Sequence, residues 1–195
     1  MITIMNTKFQ TASLVLLLAS SLFLSNAAGA EPEAPKPAPE MQKYKAFLGE
    51  WTYDGEAKAT PIGKAGKMSG KSSNRLILGG FVMESRWRDE VNPDVGVLDG
   101  MDLHSYDAKN KTYVVHYYDS MGGISSGTET VNGHTWTGSG SFTGPKGENV
   151  KARNKAVLSA DGNTITGTWE LSVDDGNTWL PWFALTSKKA HKQKD

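Results

Sequence analysis

The stretch Val150-Lys-Ala-Arg-Asn-Lys-Ala-Val-Leu158 shows the pattern that decides the fold. Its apolar and basic side chains alternate: Val150, Ala152, Ala156 and Leu158 fall on one side, and Lys151, Arg153 and Lys155 fall on the other. Because successive side chains of a β-strand point to opposite faces, this period of two indicates a half-buried strand of an antiparallel sheet. The segments Phe81–Asp89 and Ile165–Val173 alternate in the same way. The sequence therefore predicts an all-β protein.

Turn signals rich in Gly, Pro, Asn and Asp separate these segments at short intervals. They lie at Asp107–Asn110, Met121–Gly123, Asn132–Gly133, Gly144–Gly147, Asp161–Asn163 and Asp175–Asn177. The spacing predicts about ten strands, and the only predicted helix is the short segment Met41–Phe47 before the first strand. Consecutive strands joined by tight turns predict a meander, which loses its exposed edges by closing into a β-barrel. An open two-sheet sandwich is the alternative.

The segment Phe47-Leu-Gly-Glu-Trp51 favours the barrel. Its Gly-x-Trp stands at the head of the first predicted strand, after the possible short helix. This arrangement resembles the opening of lipocalins and related calycins, in which the Trp plugs one end of the barrel. The resemblance implies such a place for Trp51, and an ordinary core position is compatible with it.

Longer motifs in the middle of the chain follow one another in a specific order. They are Arg75–Phe81 (RLILGGF), Glu84–Asp89 (ESRWRD), Leu98–Asp107 (LDGMDLHSYD) and Lys111–Gly122 (KTYVVHYYDSMG). Their order resembles the bacterial family called domain of unknown function 1579, from about Tyr44 to Lys189. The resemblance implies a lipocalin-like β-barrel, and it brings no established catalytic or binding residues with it.

The first 30 residues have the order of a secretory signal peptide. Lys8 precedes an apolar, leucine-rich run from Ala12 to Leu24, and Ala28-Gly29-Ala30 is an A-x-A cleavage signal. The run is about 13 residues long, whereas roughly 20 are needed to span a bilayer, so cleavage is predicted rather than a retained anchor. We therefore expect export, most simply to the periplasm, with no integral membrane segment after cleavage.

Cleavage leaves residues 31–195, which suit one domain with its own core. The predicted parts are a Pro-rich spacer at 31–43, a barrel at 44–189 and a basic tail at 190–195. Loss of Lys8 leaves 20 basic residues against 21 acidic ones, so no global field attracts nucleic acid, and no such partner is expected. The chain has no Cys, which excludes disulfides, thiolate metal sites and a cysteine nucleophile.

Three short motifs resemble catalytic or binding signatures outside their usual context. Ser172–Trp179 fits the Asp-box pattern S-x-D-x-G-x-T-W once, without a blade-length repeat, and is interpreted as a structural hairpin. Ala65–Ser72 nearly fits a P-loop but lacks the flanking strand and helix. Gly123–Gly127 fits G-x-S-x-G, yet a strand-like segment follows it instead of a helix, so Ser125 is placed in a Gly-rich turn.

The most polar candidates lie in the hairpin that joins Leu98–Asp107 to Lys111–Gly122. Residues Met101–Ser105 are also more polar than the apolar stretch that the family resemblance implies there. If the loop is 107–111, one face holds Asp102, His104, His116 and Tyr118. If it is 107–110, the face of Asp102 and His104 instead holds Tyr113, Val115 and Tyr117. The sequence leaves both registers open, because a one-residue slip exchanges the two faces.

A barrel of this strand number is wide enough to hold one small ligand. The many aromatic residues, with a few polar groups among them, are typical of the walls of such a pocket. The leading hypothesis is therefore a periplasmic, lipocalin-like protein that holds a small, largely apolar molecule. The candidate contact residues are Asp102, His104, His116, Tyr117, Trp87 and Trp136.

Three alternatives stay open. His104 and His116 could form a haem or metal site, as haem is held in related calycin-like barrels. A His/Asp pair could make the protein a small barrel enzyme. An envelope interaction module without a small ligand would instead have a filled interior and an exposed apolar patch. The leading hypothesis expects no cofactor and assigns no catalytic residue.

Overall fold

The computed structural model describes residues 33–190, so the predicted signal peptide and nearly all of the basic tail lie outside the described residues. Two 3-10 helices, η1 (Pro39–Phe47) and η2 (Leu78–Gly80), accompany ten strands. The strands are β1 (Gly49–Ala57), β2 (Gly66–Ile77), β3 (Val82–Asn92), β4 (Gly96–Asp107), β5 (Thr112–Asp119), β6 (Ile124–Asn132), β7 (Thr135–Thr143), β8 (Asn149–Leu158), β9 (Thr164–Ser172) and β10 (Leu180–Lys189). Within 33–190, no helix is long and apolar enough to cross a membrane.

The ten strands form one closed antiparallel barrel. Each strand pairs with the next in the chain, and β1 also pairs with β10 from Trp51↔Lys189 to Ala57↔Phe183. The predicted all-β meander of about ten strands is confirmed, and the open sandwich is excluded. Closure leaves none of the ten described strands with an unpaired edge, which is the usual reason for a long meander to close.

The alternation in sequence becomes an inside and an outside. In β8, Val150, Ala156 and Leu158 are buried and face the interior, while Arg153 and Lys155 are exposed on the outer face. The same alternation continues around the sheet, since the register keeps inward-facing residues of neighbouring strands opposite one another. The barrel wall thus assigns every side chain to one of two environments.

η1 plugs one end of the barrel, which we call the plugged end. Its residues Met41, Tyr44 and Phe47 are fully buried in a core cluster that also contains Trp51 and Met83. The indole Nε1–H of Trp51 donates a hydrogen bond to the carbonyl oxygen of Phe47 at 3.0 Å. Trp51 therefore lies at the plug, as the lipocalin-like opening implied.

The helix begins two residues earlier than the predicted Met41–Phe47. Proline suits the first turn of a helix because that turn needs no backbone N–H donor, and Pro39 opens η1. The last part of the predicted spacer, from Pro39 to Lys43, consequently belongs to the plug. Met41 within it is 1% exposed.

The Asp-box segment forms the tight connection between β9 and β10. Asp174 Oδ1 accepts hydrogen bonds from Ser172 Oγ at 2.7 Å and from the backbone N–H of Thr178 at 2.8 Å. These bonds lower the pKa of Asp174 to about 2, and the bond from Ser172 has the largest effect. The geometry is that of a structural hairpin. Ser125 lies within β6 and not in the predicted Gly-rich turn, and the P-loop-like segment runs into β2, so neither has the helix that its signature needs.

The plug yields a stability prediction. Phe47→Ala removes a fully buried ring that lies 5.2 Å from the ring of Trp136, and we expect the free energy of unfolding to fall by about 3–5 kcal/mol. Urea unfolding followed by far-UV circular dichroism measures the change. Met121→Ala, which truncates a side chain that is 69% exposed, is the control and should change it by less than about 0.5 kcal/mol. Equal losses in both variants would contradict a plug built on Phe47.

Candidate functional site

The register of the β4–β5 hairpin decides which candidates face the interior. Asp102 pairs with Tyr117 and His104 pairs with Val115, and the loop between the two strands is 108–111. This loop differs from both predicted loops, but it gives the same faces as the predicted loop 107–110. Asp102, His104 and Tyr117 therefore share the inner face. His116 pairs with Leu103 and is exposed on the outer face, so its expected role as a ligand contact inside the barrel is corrected. The sequence left open two registers that differ by one residue, and the observed register turns the side chain of His116 outward.

The outward position of His116 also removes the proposed pairing of two histidines. His104 is the only histidine on the inner face of the described strands. In the described range, no group of three or more His, Cys, Asp or Glu side chains is placed to hold a metal ion. A haem or metal site made from His104 and His116 together is therefore not formed. The His/Asp pair of Asp102 and His104 does share the inner face.

A buried polar network lies beneath the plug. Glu129 Oε2, on β6, accepts a hydrogen bond from the hydroxyl of Tyr44 at 3.0 Å and lies 2.9 Å from Nδ1 of His104. All three side chains are buried. Because Tyr44 belongs to η1, His104 to β4 and Glu129 to β6, the network joins the plug to two strands of the wall.

The electrostatics of this network favour an ion pair. Burial lowers the pKa of His104, but the charge of Glu129, its hydrogen bond and the charge of Asp102 outweigh burial, so the pKa of His104 is raised above its ordinary value. Burial, together with Glu129, raises the pKa of Tyr44, so its phenol stays protonated and donates. Glu129 thus receives two donors, which is what a buried carboxylate needs.

Trp136, on β7, covers the same network from the side. Its ring centroid lies 4.7 Å from that of His104, in an edge-on arrangement, and 5.4 Å from that of Tyr44. The buried indole Nε1 of Trp136 has no hydrogen-bond partner among the described residues. The predicted ligand contacts His104 and Trp136 therefore both lie at the plugged end of the interior, close to Glu129.

Asp102, Trp87 and Tyr117 form a second group at mid-height. The indole Nε1–H of Trp87 donates to Asp102 Oδ2 at 3.1 Å, and the rings of Trp87 and Tyr117 stack with centroids 5.7 Å apart. Gly100 makes room for this arrangement, because a Cβ there would lie 2.0 Å from the Trp87 ring. The Tyr117 hydroxyl donates to Asp119 Oδ2 at 2.9 Å.

Asp102 is enclosed by protein and still accessible from within. Burial raises the pKa of Asp102 to about 6, with Glu129 adding to the rise and His104 and the Trp87 hydrogen bond opposing it. Its side chain nevertheless keeps accessible surface. Among the described residues, none is a hydrogen-bond partner of Oδ1, and this atom keeps accessible surface. Accessible surface on a deeply placed inward side chain indicates open space inside the barrel.

The wall across the barrel from Asp102 is aromatic. β9 and β10 lie opposite β4 and β5 in the strand order. Trp169 and Phe183 stack with centroids 4.6 Å apart, and Phe142 and Trp182 stack at 5.6 Å. A β-bulge between Pro181 and Phe183 lets the two consecutive rings of Trp182 and Phe183 contact inward-facing aromatics. The interior thus has a polar side and an apolar side.

Small residues widen the interior between these two walls. Several inward-facing positions away from the plug are half-buried and carry short or polar side chains: Ser85, Ser125, Gly127, Gly140, Ala152 and Asn154. In a filled core, inward-facing side chains touch one another and lose their accessible surface. The half-buried state of these residues shows that the middle of the barrel is not packed to that degree.

Sequence reasoning missed several of these residues. Glu129 falls on the same strand face as the buried Val131. An acid on the apolar face of a predicted strand is the sequence feature that could have identified it. Tyr44 lies 85 residues from Glu129 in the chain, and no local pattern links them. Trp169 and Phe183 are two of the many aromatic residues in the sequence, and their stacking depends on how β9 pairs with β10.

The family is decided by a sequence match. The family model described as Protein of unknown function (DUF1579) matches residues 36–184. The chain belongs to this family. The resemblance drawn from the LGG turn and the β4–β5 hairpin is thereby confirmed. Among curated proteins, none matches this DUF1579 chain.

Solved structures share the fold of this DUF1579 barrel. The crystal structure of Rv2717c from M. tuberculosis superposes with a TM-score of 0.57 at 13% sequence identity, covering 80% of this chain and 100% of that one. At this identity the likeness concerns the fold alone. The site of this chain must therefore be argued from its own residues.

The His104–Glu129 pair yields a pH prediction. Glu129→Gln keeps an acceptor for Tyr44 but removes the charge that opposes burial, so we expect the pKa of His104 to fall from above 6.5 to below it. Titration of the imidazole proton signals by NMR measures the value, with His116→Gln used for assignment. Glu56→Gln, on the exposed outer face, is the control and should leave it unchanged. An unaltered pKa in Glu129→Gln would contradict the ion pair.

Asp102 yields a prediction about stability and pH. Its pKa is raised in the folded protein, so folding disfavours its charged form. Between about pH 4 and 6, the folded chain keeps a proton that the unfolded chain releases, so stability from this group falls as pH rises through that window. We expect Asp102→Asn to raise the free energy of unfolding by about 2 kcal/mol at pH 7 and to leave it nearly unchanged at about pH 3.5. Urea unfolding at both pH values checks this.

The exposed Asp54→Asn is the matched control, since its side chain lies on the outer face of β1. It should change stability by less than about 0.5 kcal/mol at either pH. A gain in Asp102→Asn that is the same at both pH values would show that the change acts through packing and not through the carboxylate charge.

Proposed function

We propose that this protein binds a small, largely apolar molecule in the interior of its barrel. The observation that carries the proposal is the accessible surface of inward-facing residues at mid-height, between the aromatic wall of Trp169 and Phe183 and the polar group around Asp102. Pockets for small molecules are concave, mostly apolar and furnished with a few placed polar groups. An interaction module without a ligand would instead fill this space with side chains.

We further propose that the protein is exported. The proposal rests on Lys8, the apolar run Ala12–Leu24 and the cleavage signal Ala28-Gly29-Ala30. The absence of Cys from the chain means that folding in an oxidising compartment needs no disulfide chemistry.

One measurement addresses both proposals. The full chain is expressed in a bacterial host and purified without denaturation, and its native mass is compared with its denatured mass. We expect the denatured mass to correspond to a chain that begins at Glu31, and the native mass to exceed it by that of a bound molecule. A denatured mass that retains residues 1–30 would contradict export.

A variant that fills the interior tests binding directly. Ala152 faces the interior at mid-height, so Ala152→Trp should block the space and weaken binding of the neutral fluorescent probe N-phenyl-1-naphthylamine by about tenfold or more. Lys155→Trp places the same ring on the outer face of β8 and is the matched control, with affinity close to that of the wild type. Thermal unfolding confirms that both variants fold. Equal affinities, or no binding to the wild type, would contradict a ligand site in the barrel.

Haem is the second candidate, favoured by one observation. The Nδ1 atom of His104 lies against the carboxylate of Glu129, an arrangement that orients a histidine whose other nitrogen binds a metal. The fit is incomplete, because the ion pair with Glu129 favours protonated His104 and a ligating imidazole must be neutral. If haem binds, the purified protein shows a Soret band that His104→Ala abolishes. A colourless protein that takes up no added haem would exclude it.

A further inference from the structure

We propose that the ligand of this barrel is a monocation, a protonated amine on an apolar or aromatic body, whose charged head is held by Asp102 while its body lies on the Trp169–Phe183 wall. This inference rests on the proposed ligand-binding function and specifies its ligand class. It follows from the charges that face the interior, from the oxygen of Asp102 that has no hydrogen-bond partner among the described residues, and from the aromatic rings beside it.

The charges inside the barrel disfavour a fatty-acid type of ligand. The register places four acids on the inner face of the described strands: Asp89, Asp102, Asp119 and Glu129. The inward-facing bases in the same strands are His104 and Lys189. Lys189 lies at the plugged end, with its ammonium 5.2 Å from the centre of the Trp51 ring. A carboxylate, phosphate or sulfate head at mid-height would thus meet acids and no opposing charge.

Three of the four acids are already engaged. Asp89 accepts hydrogen bonds from Tyr53 at 2.6 Å and from Asn92 at 2.7 Å. Asp119 accepts from Tyr117 and from two backbone N–H groups of the β5–β6 turn. Glu129 receives the donors of Tyr44 and His104. Asp89 therefore stabilises the barrel wall, Asp119 the β5–β6 turn, and Glu129 the contact with the plug.

Asp102 is the acid whose bonding is incomplete. Oδ2 accepts from Trp87, while Oδ1 has no hydrogen-bond partner in the described part of the chain and stays accessible from the interior. An ionised carboxylate in such a place is unfavourable unless a donor or a cation completes its coordination. A protonated amine supplies both at once, through a charge-assisted hydrogen bond.

The residues next to Asp102 suit the same head group. Trp87 and Tyr117 present stacked aromatic rings beside the carboxylate, and aromatic faces attract cations within about 6 Å. Across the barrel, Trp169 and Phe183 offer an apolar surface for the rest of the ligand. An aromatic or branched apolar body would contact that wall while its amine reaches Asp102.

The groups that titrate around Asp102 come from three strands. His104 follows on β4, Glu129 faces it from β6, and the Tyr117 phenol lies beside it on β5. Tyr117 stays neutral because burial and then Asp119 raise its pKa. The His104–Glu129 pair compensates itself when His104 is protonated, so the net charge of this group of four residues is that of Asp102. Amine binding should therefore weaken as pH falls and Asp102 takes up its proton.

A matched series of probes tests the inference on the full-chain protein after purification. 2-Naphthylmethylamine, 2-naphthalenemethanol and 2-naphthoate share one ring system and differ in a cationic, a neutral and an anionic head. Quenching of tryptophan fluorescence, or calorimetry, gives their affinities for the wild type, Asp102→Asn and the interior-filling Ala152→Trp. We expect the amine to bind the wild type about tenfold to hundredfold more tightly than the alcohol near pH 7.5, and the naphthoate to bind least.

In Asp102→Asn the advantage of the amine over the alcohol should vanish, while the alcohol binds as before. In Ala152→Trp both should weaken, which locates them in the barrel. In the wild type the advantage should shrink toward pH 5, and any pH dependence that survives in Asp102→Asn belongs to His104 and Glu129 instead.

The outcomes separate this inference from the proposed function. If the alcohol and the amine bind the wild type equally, or the naphthoate binds best, the amine class is overturned and a ligand-binding barrel stands. If the preference for the amine persists in Asp102→Asn, the role of Asp102 is overturned. If none of the three probes nor N-phenyl-1-naphthylamine binds, the proposed function itself falls. The wild-type series decides the ligand class even if a variant does not fold.

Discussion

The pairing of β1 with β10 is the constraint on which the rest of the structure depends. It closes the meander, so that none of the strands between residues 33 and 190 keeps a free edge that could pair with another chain. Closure also gives the two faces of the sheet different surroundings, one in solvent and one enclosed. Because side chains alternate along each strand, every residue of the wall is committed to one of these surroundings. The charges and rings of the interior follow from that commitment.

Two kinds of polar group share the interior, and their bonding separates their roles. At the plugged end, Glu129 is bonded to Tyr44 and lies against His104, so its charge fixes η1 to the wall. A buried acid of this kind needs its partners, since loss of either would leave an uncompensated group. At mid-height, Asp102 has one bonded oxygen and one that faces open space. Completed networks serve the fold, whereas an incomplete one is available to a ligand.

The fold by itself does not decide the function. Membership of a family of unknown function and structural likeness to Rv2717c at 13% identity establish the barrel and nothing about what it holds. The specific argument comes from this chain's own interior, where acids outnumber bases and an aromatic wall faces Asp102. The same barrel with an inward-facing Arg at mid-height would suit an anionic ligand instead.

The sequence by itself determined the all-β class, the approximate number of strands and the place of Trp51, because these depend on local periodicity and on turn residues. It also brought Asp102, Trp87 and Tyr117 forward as candidates. Only the tertiary structure turned His116 outward, since a one-residue choice in the β4–β5 loop sets the register. Likewise, Tyr44 and Glu129 meet only because closure brings β6 against the plug. Such contacts depend on the pairing of strands that are far apart in the sequence, so the alternation along a single strand cannot predict them.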